Sequence, residues 1–152
     1  MRIKVGISIS ATPSEVWRVI EPIERHVDWM ADAESITFTS TMHRGVGTRF
    51  DCVTRVGPFH TKDALTITEW EPGRVMGIEH VGAVKGTGRF TLAKRPRGKT
   101  RFTWTEELTF PWWIGGAAGA LAAKPVLRAV WKRNLRRLQH MIELGVAGAD
   151  RA

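Results

Sequence analysis

Between Glu34 and Phe110 turn residues cut the chain into six short segments, and this spacing constrains the fold more than any other feature. The segments are Ser35–Met42, Thr48–Val56, Thr61–Glu71, Val75–Val81, Lys85–Ala93 and Thr100–Phe110. Between them stand Arg44-Gly45-Val46-Gly47, Gly57-Pro58, Pro72-Gly73 and similarly short links. Parallel strands need a crossover of a dozen or more residues, so links this short specify an antiparallel meander. Ahead of it, Ile3, Val5, Ile7 and Ile9 alternate with Arg2, Lys4, Gly6 and Ser8, the period of a half-buried strand. Thr12-Pro13-Ser14-Glu15 then starts a helix: Thr12 can cap, Pro13 suits the first position, and Glu15 completes a capping box. Val16, Trp17, Val19 and Ile20 form its apolar side, Pro22 ends or bends it, and Ile23–Trp29 reads as a second short helix.

One long amphipathic segment follows the meander. Leu127, Trp131, Asn134, Leu135, Leu138 and Ile142 recur at three- and four-residue steps and form a single stripe, while Arg128, Lys132 and Arg136 form another. The uncharged, Gly/Ala-rich run Phe110–Ala123 before it reads as a weak, adaptable helix or loop, and Pro125 as a kink or the true helix start. A curved sheet that grips one long helix can enclose a cavity between them. Residues 1–145 are expected to form one domain and 146–152 a flexible tail.

The net charge of +8 is uneven: residues 1–60 hold seven basic and seven acidic groups, residues 61–110 nine and six, residues 111–152 seven and two. The excess sits at the turn Lys94, Arg95, Arg97, Lys99, Arg101 and on the terminal helix. A solvated hairpin tip and helix face account for it; weak anionic-membrane contact through Arg128, Lys132 and Arg136 is the alternative. Nucleic-acid binding ranks last, because no aromatic-rich RNA motif or recognition-helix unit accompanies the charge. A single cysteine, Cys52, excludes an internal disulfide and a cysteine-cluster metal site, and reads as a small buried hydrophobe. His26, His43, His60 and His140 show no ligand spacing, so no metal is expected. Gly86-Thr87-Gly88 lacks the helix and third glycine of a dinucleotide motif, and no cofactor is expected; two glycines in a strand suit bending or close ligand approach. The opening MRIKVGISIS reads as a strand rather than a secretory signal. The uncharged run Leu108–Ala123 is shorter than the ~20 residues of a membrane span. A soluble cytoplasmic protein, monomer or homodimer, is the expectation.

Alternation assigns faces. Phe102, Trp104, Glu106, Leu108 and Phe110 share one; so do Phe50, Cys52 and Thr54; Asp63, Leu65, Ile67 and Glu69; and Met76, Ile78 and His80. A carboxylate on an apolar face is costly unless paired, hydrogen-bonded or protonated, which singles out Glu106 and Asp63, with His80 as a neighbour able to titrate near neutrality. The competing reading puts both carboxylates at strand ends or rims, against Arg89, Arg101 or water. Trp112 and Trp113 can plug a cavity, gate its mouth or anchor at a membrane.

The order strand, two short helices, six-stranded meander, long helix resembles the helix-grip fold of the START and pollen-allergen superfamily, often labelled SRPBCC. Within it the chain is similar to bacterial polyketide cyclase/dehydrase-like and lipid-transport-like proteins. The residues that carry the likeness are Ile9-Ser10-Ala11-Thr12-Pro13-Ser14-Glu15-Val16-Trp17, Asp28-Trp29, Gly45-Val46-Gly47-Thr48, Trp70-Glu71-Pro72-Gly73-Arg74 and Pro111-Trp112-Trp113. The resemblance implies an α+β fold, with a curved antiparallel sheet of about seven strands, two short helices after strand 1 and a long C-terminal helix. It also implies a hydrophobic small-molecule ligand, lipid-, aromatic- or polyketide-like. The expected lining is Phe50, Cys52, Leu65, Ile67, Ile78, Phe90, Trp104, Glu106, Trp113, Leu127, Trp131 and Asn134. Such motifs are caps, turns and packing aromatics, and say little of chemistry. The enzyme alternative is a cyclase or dehydratase using Glu106, His80 and Asp63 on a carbonyl compound.

Overall fold

A computed structural model describes residues 1–151, with side chains described to residue 148. Strand β1 (Arg2–Ile9) leads into helix α1 (Pro13–Ile20) and a 3₁₀ helix at Ile23–Asp28. The strands β2 (Ala33–Phe38), β3 (Arg49–Val56), β4 (Phe59–Glu71), β5 (Val75–Val81), β6 (Lys85–Arg95) and β7 (Lys99–Thr109) follow. A 3₁₀ turn at Trp112–Ile114 then delivers helix α2, Gly116–Arg151. The seven strands form one sheet in the order β1-β7-β6-β5-β4-β3-β2, every neighbouring pair antiparallel. This is a helix-grip α+β architecture.

Local chemistry sets the boundaries. Thr12 accepts the Glu15 N–H at 3.3 Å while the Glu15 carboxylate takes the Thr12 N–H at 3.1 Å, the reciprocal capping box read from the sequence. α1 then buries Val16, Trp17 and Ile20. Along β1, Ile3, Val5 and Ile9 are buried and stand opposite Glu106, Trp104 and Thr100 of β7. α2 lies against β1 and β7 and inserts Trp131, Leu135, Leu138 and Ile142 into the core, the stripe the periodicity predicts. Among the described residues no helix is long and apolar enough to cross a membrane.

Three expectations change. α2 begins at Gly116, so Pro125 lies inside the helix and does not start it. The stretch 146–151, read as a flexible tail, continues α2, and Val146 packs on the core; Ala152 lies outside the described residues. The third change comes from a bulge in β4, where the register shifts between Ile67 and Glu69. One extra residue reverses every later side chain. Glu69 therefore faces outward, bonded to Arg89 at 2.7 Å, and Trp70 turns inward, its ring edge-on to Trp17 at 5.2 Å. The basic turn between β6 and β7 is exposed, with Arg97 at φ 66°. On α2, Lys132 and Arg136 are exposed and Arg128 donates to the Lys4 carbonyl at 2.9 Å.

Candidate functional site

Between the concave face of the sheet and the first turns of α2 lies a cavity of about 590 Å³. Its floor is built from the inward positions of β3 to β7: Phe50 and Cys52, then Leu65 and Ile67, then Met76 and Ile78, then Phe90, then Trp104 and Leu108. Ile23, His26, Met30 and Ile36 close one side, and Gly119, Ala122, Ala123, Val126, Leu127 and Trp131 of α2 form the roof. The roof is low in volume because small residues face the sheet there. At Gly119 a Cβ would run into the Ile114 carbonyl oxygen, so only glycine lets the helix meet the preceding turn.

Three titratable side chains project from the floor. Glu106, 5% exposed, accepts from His80 Nε2 at 2.9 Å and from the Trp104 indole N–H at 2.9 Å. His80 and Glu106 belong to β5 and β7, which β6 separates. Adjacent strands lie ~4.8 Å apart, so the two side chains must meet over roughly 9–10 Å of backbone spacing. Gly88 and Gly86 of β6 make this possible: they stand opposite Glu106 and His80 respectively and put no side chain in the way. A Cβ at Gly88 would lie 2.5 Å from Glu106 Oε1. Burial alone would lower the His80 pKa, but the Glu106 hydrogen bond and charge, with Asp63 adding, reverse this and raise it.

Asp63 sits on the same floor, on β4, 9% exposed. Its Oδ2 accepts from Thr61 at 3.3 Å, while its Oδ1, seated over Gly82, has no hydrogen-bond partner among the described residues. Burial raises the Asp63 pKa, and His80 only partly offsets this. Burial likewise pushes the Cys52 thiol up, so it stays a protonated wall residue.

At the helix side the structure reveals groups the sequence reading missed. Asp32 lines the cavity and accepts from Asn134 Nδ2 at 2.6 Å; Asn134 Oδ1 takes the Ala31 N–H at 3.0 Å. Burial raises the Asp32 pKa against the lowering effect of Asn134. The Trp131 ring stacks on Trp104 at 4.9 Å and 18°. His26, also in the wall, donates from Nε2 to the Ile20 carbonyl at 2.7 Å, and burial pushes its pKa down to about 4. It is neutral at pH 7. No sequence signal marks Asp32, because its partner is remote in the chain.

Two expected lining residues lie elsewhere. Asn134 is fully buried behind the wall, spent on Ala31 and Asp32. Trp113 is 61% exposed and Trp112 87%, because the 3₁₀ turn and the left-handed Gly115 (φ 93°) put Phe110 and Ile114 on the cavity instead. Phe50, Cys52, Asp63, Leu65, Ile67, Ile78, His80, Phe90, Trp104, Glu106, Leu127 and Trp131 all face the cavity.

Residues 1–143 match the model of a family described as polyketide cyclase / dehydrase and lipid transport. The chain belongs to this family. No curated protein sequence matches it. Among solved structures, a protein from Thermus thermophilus superposes with TM-score 0.79 at 16% identity, covering 95% of this chain and 99% of that one. The Zhui aromatase/cyclase from Streptomyces sp. R1128 gives 0.74 at 16%, covering 96% and 95%. The di-domain ARO/CYC StfQ of the steffimycin biosynthetic pathway gives 0.78 at 11%, covering 96% of this chain and 51% of that one. At these identities the likeness of this cyclase/dehydrase-family protein to them is one of fold.

Proposed function

We propose that this family member binds a hydrophobic small molecule, aromatic-, polyketide- or lipid-like, in the cavity between sheet and α2. The observation that carries the reading is the cavity itself: 590 Å³ walled by aliphatic and aromatic side chains, with polar groups confined to a few positions. A dry void of that size would cost on the order of 14 kcal/mol at ~24 cal/mol per Å³, as much as the whole stability of a typical domain. The space therefore holds either water or a guest, and its largely apolar wall favours a hydrophobic guest. At ~30 Å³ per water-sized unit it takes a molecule of about twenty non-hydrogen atoms, the size of three or four fused rings.

A ligand efficiency of about 0.3 kcal/mol per atom gives roughly 6 kcal/mol, a Kd of tens of micromolar. At ~1 mM ligand this stabilises the fold by about 2 kcal/mol, a Tm rise of roughly 4–8 °C. A thermal-shift and native mass-spectrometry screen of polycyclic aromatics and acyl chains tests this. A panel that moves neither Tm nor mass rejects the reading.

A second reading, cyclase or dehydratase chemistry, is favoured by the His80–Glu106 pair on the cavity floor. Protonated His80 can deliver a proton to a carbonyl oxygen or a departing hydroxyl, and Glu106 fixes the ring and stabilises its charge. Glu106→Gln keeps the shape and the Trp104 bond but not the charge. It should abolish cyclisation of a linear poly-β-ketone probe while Tm barely moves; a large Tm loss with turnover retained marks a structural carboxylate.

A further inference from the structure

The polar inventory of the cavity is one-sided. Asp32, Asp63 and Glu106 supply three carboxyl groups to its wall, and His80 is already bonded to Glu106. Among the described residues the one basic side chain at the wall is Arg89, and its guanidinium lies on the outer face of the sheet, held by Glu69 at 2.7 Å. Among the described residues no lysine or arginine head group therefore reaches the interior. His26, the other imidazole, spends its proton on the Ile20 carbonyl. The +8 surface draws anions toward the protein, but those charges lie outside and are screened within about 8–10 Å.

The carboxyl groups are not equally satisfied. Glu106 accepts from His80 and Trp104, and Asp32 from Asn134. Asp63 has only the Thr61 hydroxyl at 3.3 Å, and its Oδ1 is buried without a partner although the residue is only 9% exposed. A buried acceptor left unmade is costly, and a ligand O–H or N–H offsets that cost once the carboxyl group turns from Gly82 toward the cavity that Asp63 lines. A second anion brought to the same place would meet like charge in a low-dielectric space whose one imidazole near Asp63, His80, is already bonded to Glu106.

We infer, on the ligand-binding reading above, that the cavity selects an uncharged or cationic hydrophobe whose polar end donates hydrogen bonds to Asp63, and rejects molecules headed by carboxylate or phosphate. Phenols, enols, alcohols and amines fit; free fatty acids do not. Three fluorescent probes that share one ring system separate these cases: 9-anthracenemethanol, 9-(aminomethyl)anthracene and anthracene-9-carboxylate, titrated at neutral pH. The alcohol and the amine should bind within about tenfold of each other, and the carboxylate at least tenfold more weakly than either. In Asp63→Asn, an isosteric change, the carboxylate should gain on the alcohol and the amine should fall behind it.

A carboxylate that binds the wild-type protein as tightly as the alcohol overturns the inference and leaves ligand binding intact. The same ranking in Asp63→Asn as in the wild type overturns it too, because selectivity then lies elsewhere. If none of the three probes binds saturably, the ligand-binding reading falls and takes this one with it.

Discussion

Gly88→Ala is the perturbation that bears most directly on how the polar floor is built. The added Cβ would lie 2.5, 2.7 and 2.9 Å from the Glu106 Oε1, Cδ and Oε2 atoms. The carboxylate must leave its seat, which breaks its bonds to His80 and to Trp104, each 2.9 Å. Hydrogen bonds to a charged group contribute about 1.5–3 kcal/mol each, and part of that is recovered when the displaced carboxylate finds other partners. Alanine in a strand regains roughly 0.5–1 kcal/mol over glycine. The net cost is about 2–3 kcal/mol, which for a domain of 152 residues lowers Tm by roughly 5–10 °C. Glu106→Ala removes the obstacle, so Gly88→Ala should cost almost nothing in that background, with a coupling energy of about 2 kcal/mol in the double-mutant cycle. The pH dependence follows from His80. Its folded pKa is raised, so its contribution is complete below the unfolded value near 6.5 and fades as pH rises through the folded value. The gap between wild type and Gly88→Ala should therefore be wider at pH 6 than at pH 9, and NMR titration should show the His80 pKa falling in the variant. A Gly88→Ala protein with unchanged Tm and an unchanged His80 titration refutes the view that β6 is kept bare for this pair.

Asp63 carries a folded pKa raised by burial, so it stabilises the fold fully below about 3.9 and loses that contribution as pH rises through the folded value. Asp63→Asn should accordingly raise Tm by a few degrees at pH 8, about 1 kcal/mol, and not at pH 3; equal shifts at both would contradict the burial argument. Ile78→Trp projects a ring into the cavity from the centre of its floor, and should abolish probe binding while Tm holds or rises. Asn134→Ala leaves the Ala31 N–H and Asp32 without their partner and should cost about 2–4 kcal/mol in urea unfolding. Hydrogen exchange should find the amides of residues 117–124 on average ~100-fold less protected than those of 131–142, with ligand narrowing the difference.

The order of elements was legible because each boundary has local chemistry: the capping box at Thr12, the Gly57-Pro58 and Pro72-Gly73 turns, and the stripe from Leu127 to Ile142. The inward faces of β3, β5 and β7 were legible for the same reason, since side-chain alternation needs no tertiary information while the ladder is unbroken. Glu69 shows the limit: one extra residue after Ile67 reverses the face, and nothing in the local sequence announces the bulge. Asp32 and Asn134 show another, since they are 102 residues apart and only the docking of α2 joins them. Trp113 failed as a wall residue because the backbone of Gly115, not the aromatic itself, decides which way the turn opens. His80 and Glu106 stood on the correct faces from alternation, but their meeting depended on strand order and on the bare glycines of β6.

The two halves of α2 do opposite work, and the division explains how a fold can keep so large a hollow. From Trp131 to Ile142 the helix buries Trp131, Leu135, Leu138 and Ile142, each at most 5% exposed. At about 1.5–3 kcal/mol per side chain this half supplies on the order of 6–12 kcal/mol of docking. From Gly119 to Val126 the same helix presents glycine, two alanines and a valine to the cavity, and Pro125 removes one backbone donor. That half adds little packing of its own and stays over the cavity because it is continuous with the anchored half. Leucines at 122 and 123 would fill the space and strengthen the docking, at the expense of the room for a ligand. Small residues along one helical stretch, next to large ones in the following stretch, are thus the pattern by which this chain separates holding its structure from keeping a cavity open.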